Sequence, residues 1–367
     1  MRYPIIATLL LLLVNCTVYA QEDLPPPLTT CTPEQIEQAH PQTGDYVPTD
    51  NSGFVTLENG QFTVDDEPFY VRGVNYYPAQ YPWRRFLTET DLPTVEQELA
   101  LLRETGFNTL RIFLWHQALF QCPGSDGVPN VGVIQRLDGI IQTASNAGFR
   151  LIVTLNDLPD LEDYFLYDNP LHTQQQVTYI VSRYRDEPAI LAWDLRNEGD
   201  IDYGSIASRP PIATTEIVIG WLAEVSEQVR ALDDNHLITA GWYRRAEDTA
   251  PYVDFVSFHH WTGVEDLDGR IAPIRAVTDK PILLQEVGYS TQRMQLDDQA
   301  RNLQTIVDWS AENDLLGWMI WTAFDFPIDR SCFPSPCQSP DNAEHYFGIW
   351  TSTYEPKPAV SVFTSPD

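Results

Sequence analysis

Ile190-Leu-Ala-Trp-Asp-Leu-Arg-Asn-Glu-Gly199 decides the fold. An apolar run, Ile190 to Trp193, ends in a polar cluster that closes on Asn197-Glu198. Pro281-Ile-Leu-Leu-Gln-Glu286 has the same shape, a short apolar run with a glutamate at its carboxyl end. Runs that are apolar throughout, rather than alternating, read as parallel strands buried on both faces. A carboxylate just beyond such a strand sits where barrel enzymes keep their reacting groups. Glu198 and Glu286 are therefore expected to face each other across one cleft.

Strand and helix patterns alternate outward from these two runs. Strands are expected at Phe69–Asn75, Thr109–Phe113, Arg150–Leu155, Ile190–Asp194, His236–Ala240, Phe255–His259, Pro281–Gln285 and Gly317–Trp321. Helical spacing of apolar residues fills most of the gaps, as at Val133, Leu137, Ile140, Ile141 and Ala144. Glu104-Thr-Gly106-Phe107 and Asn146-Ala-Gly148-Phe149 recur at matching places, glycine ending a helix and phenylalanine opening the next strand. Eight such units over roughly 300 residues suit a (β/α)8 TIM barrel. An open doubly wound sheet ranks second, because neither a Rossmann nor a Walker phosphate loop is present. Ahead of the barrel, Phe54–Leu57 and Gln61–Val64 flank Asn59-Gly60, a hairpin signal. This β-hairpin is expected to close the barrel bottom.

The ends of the chain read differently. Residues 1–20 look like a signal peptide: Arg2, then an apolar stretch from Ile5 to Val14, then Val18-Tyr-Ala20 as a loose cleavage site. Export to the extracellular space is expected, with lipoprotein anchoring at Cys16 ranked second. Residues 21–53, rich in Pro and Thr, read as an arm or linker, and residues 54–367 as one catalytic domain. Once the leader is gone, four cysteines remain. Cys332 and Cys337, in one short loop, are expected to pair, leaving Cys31 for Cys122. No stretch spans a bilayer, and a monomer is expected.

The 22 basic and 52 acidic residues give a formal charge of −30. Such a surface repels nucleic acid and anionic membranes, and argues against polyanionic substrates. No Gly-x-Ser-x-Gly elbow, cysteine nucleophile or HExxH motif is present, and adjacent His259-His260 point to opposite faces of a strand. No metal and no cofactor are expected.

In a barrel all strand ends converge on one face, so the residues after each strand list the pocket. They are Asn75 with Tyr76 and Tyr77, Arg111 with Trp115 and His116, Asn156 and Asp157, Asn197 and Glu198, Trp242 and Tyr243, His259, His260 and Trp261, Glu286 and Tyr289, and Trp321 and Asp325. Two carboxylates among aromatic rings suit glycoside hydrolysis, one protonating the leaving oxygen and the other attacking carbon or activating water. Blander readings stand beside this one. A lone glutamate is usually a solvated loop residue, His259 could be a satisfied core histidine, and Trp115, Trp242 and Trp261 could be packing. Trp193, Trp221 and Trp318 read as core.

Trp193-Asp-Leu-Arg-Asn-Glu198 resembles the acid/base motif of barrel glycosidases with glutamates after strands four and seven. Leu110-Arg-Ile112, Ser257-Phe-His259, Gln285-Glu286, Met319-Ile-Trp321 and the tail from Tyr346 to Ala359 resemble the other marks of glycoside hydrolase family 5, with family 2 close behind. The resemblance implies a retaining enzyme with Glu286 as nucleophile and Glu198 as general acid/base. Arg111 would hold Glu286 ionised, Asn197 would bond the sugar 2-hydroxyl, and Trp321 would lie under the cleaved sugar. Asn75, Asn156, His259 and Trp261 complete the expected substrate-binding set. Three departures stand out: Gly199 where the family has proline, Asn156-Asp157 for His-Asn, and Trp261 for tyrosine. The expected substrate is a neutral β-linked polysaccharide or oligosaccharide, a mannan or glucan. A catalytically silent carbohydrate-binding barrel and a transglycosylase are the alternatives.

Overall fold

The computed structural model describes residues 43–51, 53–120, 128–157, 165–168, 170–204, 210–330 and 342–364, with a few positions between 32 and 38. The leader with Cys16, and both expected disulfides (Cys31–Cys122 and Cys332–Cys337), lie outside the described residues.

A three-stranded antiparallel sheet comes first, β1 (Thr56–Glu58), β2 (Gln61–Val64) and β3 (Glu67–Phe69). The third strand was not expected. Asp65 and Asp66 alone make the second turn, both at positive φ (52° and 67°), a backbone that aspartate tolerates better than most residues. A turn this tight leaves Glu67–Phe69 free to pair with β2.

The parallel sheet runs β4 (Val71–Asn75), β5 (Thr109–Phe113), β6 (Arg150–Thr154), β7 (Ile190–Asp194), β8 (Leu237–Thr239), β9 (Gly241–Trp242), β10 (Val256–His260), β11 (Ile282–Val287) and β12 (Gly317–Ile320). β8 pairs with β7, and β9 pairs with β10. The two are halves of one strand broken at Ala240, so the circuit closes into an eight-membered barrel. The break matters at the site, because Gly241 uses its freed backbone to hold Asp194 and Glu198.

The helix ends follow the repeat seen in the sequence. Phe107 N–H donates to Leu102 O (3.1 Å) and Gly106 N–H to Arg103 O (3.0 Å), with Gly106 at φ +101°. Gly148 (φ +78°) and Phe149 repeat the pattern on Ser145 and Ala144. This is the Schellman arrangement, which needs a left-handed residue after the helix. It turns the chain directly from a surface helix into the next buried strand. Before the sixth barrel strand a 3-10 helix, Ala246–Tyr252, stands in place of an α-helix.

Below the parallel strands, Val55 and Phe62 join Val71, Ile152, Leu191, Ala192, Phe255, Leu283 and Met319 in one buried apolar cluster. Phe62 meets the edge of Phe255 at 5.0 Å. The small sheet thus plugs the amino-terminal end of the barrel, as expected. Part of the arm is also docked. Tyr46 Oη donates to Glu187 (2.7 Å), as do Thr49 N–H (2.8 Å) and Thr49 Oγ1 (2.5 Å), so a fully buried carboxylate latches residues 43–51 to the barrel.

Candidate active site

Asp194, the last residue of β7, organises the site from below. Its Oδ2 accepts Arg111 Nε (2.9 Å), Arg111 Nη2 (2.7 Å) and Thr154 Oγ1 (2.8 Å), and its Oδ1 accepts Gly241 N–H (3.0 Å). Arg111, fully buried on β5, spends its remaining donors upward. Nη1 reaches Glu286 Oε2 (2.6 Å) and Asn75 Oδ1 (3.0 Å), and Nη2 reaches Asn197 Oδ1 (2.8 Å). A buried guanidinium is tolerable only when its donors are matched by acceptors in this way.

Just past β7 the chain bends sharply. Glu198 takes a left-handed backbone (φ 48°, ψ 40°), held by its own N–H donating to Gly241 O at 2.7 Å. A non-glycine residue held there stores strain on the order of 1–3 kcal/mol, a cost that clusters at functional sites. The bend turns the Glu198 side chain into the cleft, where Oε1 accepts from Trp261 Nε1 (3.1 Å) and faces His259 Nδ1 (3.0 Å). His259 Nδ1 also lies 3.8 Å from Glu286 Oε1. One side-chain nitrogen or oxygen from each of Glu198, His259 and Glu286 lies within 4.8 Å of those of the other two.

The proton sits differently from expectation. Burial pushes the Glu286 carboxyl up to about 7, with the Glu198 charge adding to the rise and His259 and Arg111 opposing it. Glu198 is largely buried too, yet hydrogen bonds from His259 and Trp261 hold it below the usual carboxylate range. Arg111 was expected to keep Glu286 ionised. Its charge is already matched by Asp194, so it offsets only part of the burial cost at Glu286. His259 is raised: burial opposes its charged form, but the Glu286 charge and the bond to Glu198 prevail.

The expected site residues divide into two tiers. Glu198, Glu286, Trp261 and Trp321 line the cleft. Trp321, 7% exposed, stacks with Trp83 at 5.6 Å and donates through Nε1 to Glu344 Oε2 (3.3 Å). Beneath them, Arg111, Asn75, Asn197 and His259 are bonded to one another or to the glutamates. Asn75 Nδ2 donates to Gln285 O (3.0 Å) and Ile320 O (3.2 Å), tying strands together. Asn156 Nδ2 is committed to Leu195 O (3.0 Å) while its carbonyl accepts Asn197 N–H (2.9 Å). Arg111, Asn75 and Asn156 therefore position other groups here rather than offering donors to a sugar.

Trp242 is fully buried core, not an open platform. Its ring explains Gly199: a Cβ there would meet Trp242 Nε1 at 3.0 Å and Arg196 Cγ at 2.9 Å. His260 bonds Gly263 O and Asp325 is tied to Lys357 (2.7 Å), both structural. Asp157 accepts from Asn197 Nδ2 (2.9 Å) and Tyr77 Oη (3.3 Å), completing the Asn197 orientation.

Sequence reasoning missed Asp194, Trp83 and Glu344. Asp194 carries a signal, since a charge inside an apolar strand needs a partner as Arg111 does. Trp83, at φ 57° in a turn, and Glu344, in the short 3-10 helix Ala343–Tyr346 and pushed by burial up to about 7, lie in segments too short for periodicity; only the fold brings them to Trp321.

Residues 65–326 match the family model described as Cellulase (glycosyl hydrolase family 5). The chain belongs to glycoside hydrolase family 5. Mannan endo-1,4-beta-mannosidase A of Podospora anserina is 30% identical over 289 residues, covering 64% of this chain and 73% of that protein. Mannan endo-1,4-beta-mannosidase F of Aspergillus fumigatus is 28% identical, covering 66% of this chain and 65% of that protein. A second F-type relative, from Aspergillus clavatus, is spanned over only 48% of its length. Among solved structures, an endo-1,4-beta-mannanase from Rhizomucor miehei superposes with TM-score 0.63 at 21% identity, covering 85% of this chain and 97% of that one. An exo-beta-1,4-mannosidase from an Opitutaceae bacterium gives 0.67 at 18% identity, covering 87% and 61%. These likenesses carry the (β/α)8 fold and put family 2 aside.

Proposed function

We propose that this chain hydrolyses β-1,4-linked mannan from within the polymer, with retention of configuration. The observation that carries the chemistry is the short reach between Glu198 and Glu286, within 4.8 Å. Retaining glycosidases hold their carboxyl groups about 5–5.5 Å apart, whereas inverting ones leave ~6.5–9.5 Å for a water. The endo-mannosidase names of the curated relatives support mannan over glucan.

Glu286 is the nucleophile and Glu198 the acid/base. The sugar rests on Trp321 with its 2-hydroxyl against Asn197. Glu286 attacks the anomeric carbon while Glu198 protonates the departing oxygen. Water then enters, gives a proton to Glu198, and displaces Glu286. Having given up the proton in the first step, Glu198 is a carboxylate and acts as base in the second. Residues 54–367 form the catalytic domain, with residues 21–53 as an arm. Residues 1–20 act as an export signal, and no helix among the described residues is long and apolar enough to cross a membrane.

Reducing-end release from a panel of β-mannan, β-glucan and xylan tests the reading. Release of oligosaccharides from mannan, abolished in Glu198→Ala and Glu286→Ala, is expected. Turnover of glucan alone overturns the substrate, and binding without turnover on every polymer overturns the activity.

A further inference from the structure

His259 is fully buried, and both its ring nitrogens face oxygen. Nδ1 is 3.0 Å from Glu198 Oε1, and Nε2 is 3.3 Å from Gln285 Oε1. Glu198 Oε1 already accepts from Trp261 and so meets Nδ1 as an acceptor; a neutral imidazole, with one N–H, would then set a nitrogen lone pair against an oxygen lone pair at one of its two contacts. An imidazolium, with two N–H groups, satisfies both contacts. Gln285, also fully buried, turns its oxygen to the ring although this leaves its own Nε2 with no acceptor. That orientation is costly for the amide unless it serves a charged neighbour. Gly241 makes the approach possible, since a Cβ there would collide with both Gln285 Oε1 and His259 Nε2.

We infer that Gln285 is a positioning residue whose amide oxygen holds His259 as the imidazolium that supplies Glu198 with its proton. This rests on the acid role proposed for Glu198 above. The other groups facing His259 are Glu286 at 3.8 Å, Arg111 from β5, and Arg270, whose Nη2 donates to His259 O at 3.3 Å. Arg111 opposes a charged ring and the two glutamates favour it, so an acceptor at Nε2 decides the balance.

The proton path is closed. Nδ1–H passes its proton to Glu198 Oε1, and the carboxyl releases one to the glycosidic oxygen as the sugar–oxygen bond breaks and the Glu286–sugar bond forms. His259 is then neutral, and its remaining Nε2–H still donates to Gln285 Oε1. In the second step the attacking water loses a proton to Glu198, which returns it to Nδ1 as the Glu286–sugar bond breaks. No proton is gained or lost over the cycle beyond those of water and product.

Nitrogen-15 NMR of the histidine rings, with pH profiles of kcat/KM on mannan, tests this. At pH 6 both ring nitrogens of wild-type His259 are expected to be protonated. Gln285→Leu moves the alkaline limb of the profile down by about one pH unit, a loss of roughly tenfold at pH 7 and little at pH 5. Gln285→Glu, with a stronger acceptor, moves the limb up, and carries the test if the leucine variant does not fold. A neutral His259 tautomer at pH 6, or variants that scale kcat/KM equally at every pH, overturns the inference. The NMR readout needs no substrate, so a wild type inactive on mannan counts against the proposed function and leaves this result readable.

Discussion

The two ends of the barrel are built from the same strands and obey opposite rules. At the amino-terminal end β4, β6, β7, β11 and β12 present Val71, Ile152, Leu191, Leu283 and Met319, all apolar and sealed by Phe62. At the carboxyl end the neighbouring positions are Asn75, Asp194, Gln285 and Glu286, joined by Arg111, every one buried and every one charged or amide-bearing. The lower end gains stability from each atom it buries. The upper end keeps carboxylates out of water and holds Glu198 in a strained backbone, features that cost stability and produce reactivity. One strand thus changes purpose within three or four residues.

Substitutions at each end sharpen that contrast. Glu286→Gln carries the largest expected effect, a loss on the order of 10⁶-fold in kcat, the scale seen for other covalent nucleophiles. It is also expected to raise stability at alkaline pH. The Glu286 folded-state value is raised to about 7, so burying its charge costs nothing below the ordinary carboxylate value. The cost grows as pH rises from there and is complete above about 7. Thermal unfolding should therefore show the variant more stable than wild type at pH 8 and equal to it near pH 4. Equal stability at both would mean that the upper end carries no such penalty.

Phe62→Ala reverses the pattern. A phenylalanine removed from a sealed core costs about 3–5 kcal/mol, read by denaturant titration, while kcat at 25 °C stays at the wild-type value. A fall in kcat comparable to the fall in stability would show that the two ends are coupled. The smallest effect belongs to the arm. Thr49→Val keeps the backbone bond to Glu187 and removes the hydroxyl one, a loss of about 1–2 kcal/mol with activity unchanged.

The same division governs what was legible in the sequence. The barrel, its strand ends and its two glutamates could be read because apolar runs, helix periodicity and the Gly-Phe repeats are local signals. The site's lower tier was half legible. Arg111 announced itself as a charge inside an apolar strand, but its main partner, Asp194, lay unremarked in the decisive stretch itself. Arg111, Asn75 and Asn156 were expected to touch sugar, because residue type does not tell a donor aimed at a ligand from one spent on a backbone carbonyl. Trp83 and Glu344 were beyond reach, since a turn and a single short 3-10 helix carry no periodic signal and the two meet at Trp321. The direction of the proton also escaped, because it depends on how one guanidinium divides its charge between two carboxylates.

Proton NMR of the first products released from mannan, recorded before mutarotation, tests the central claim most directly. A double displacement by carboxylates within 4.8 Å of each other predicts that the new reducing ends appear first as the β-anomer. First appearance of the α-anomer would mean direct attack by water, and would contradict the roles given to Glu198 and Glu286.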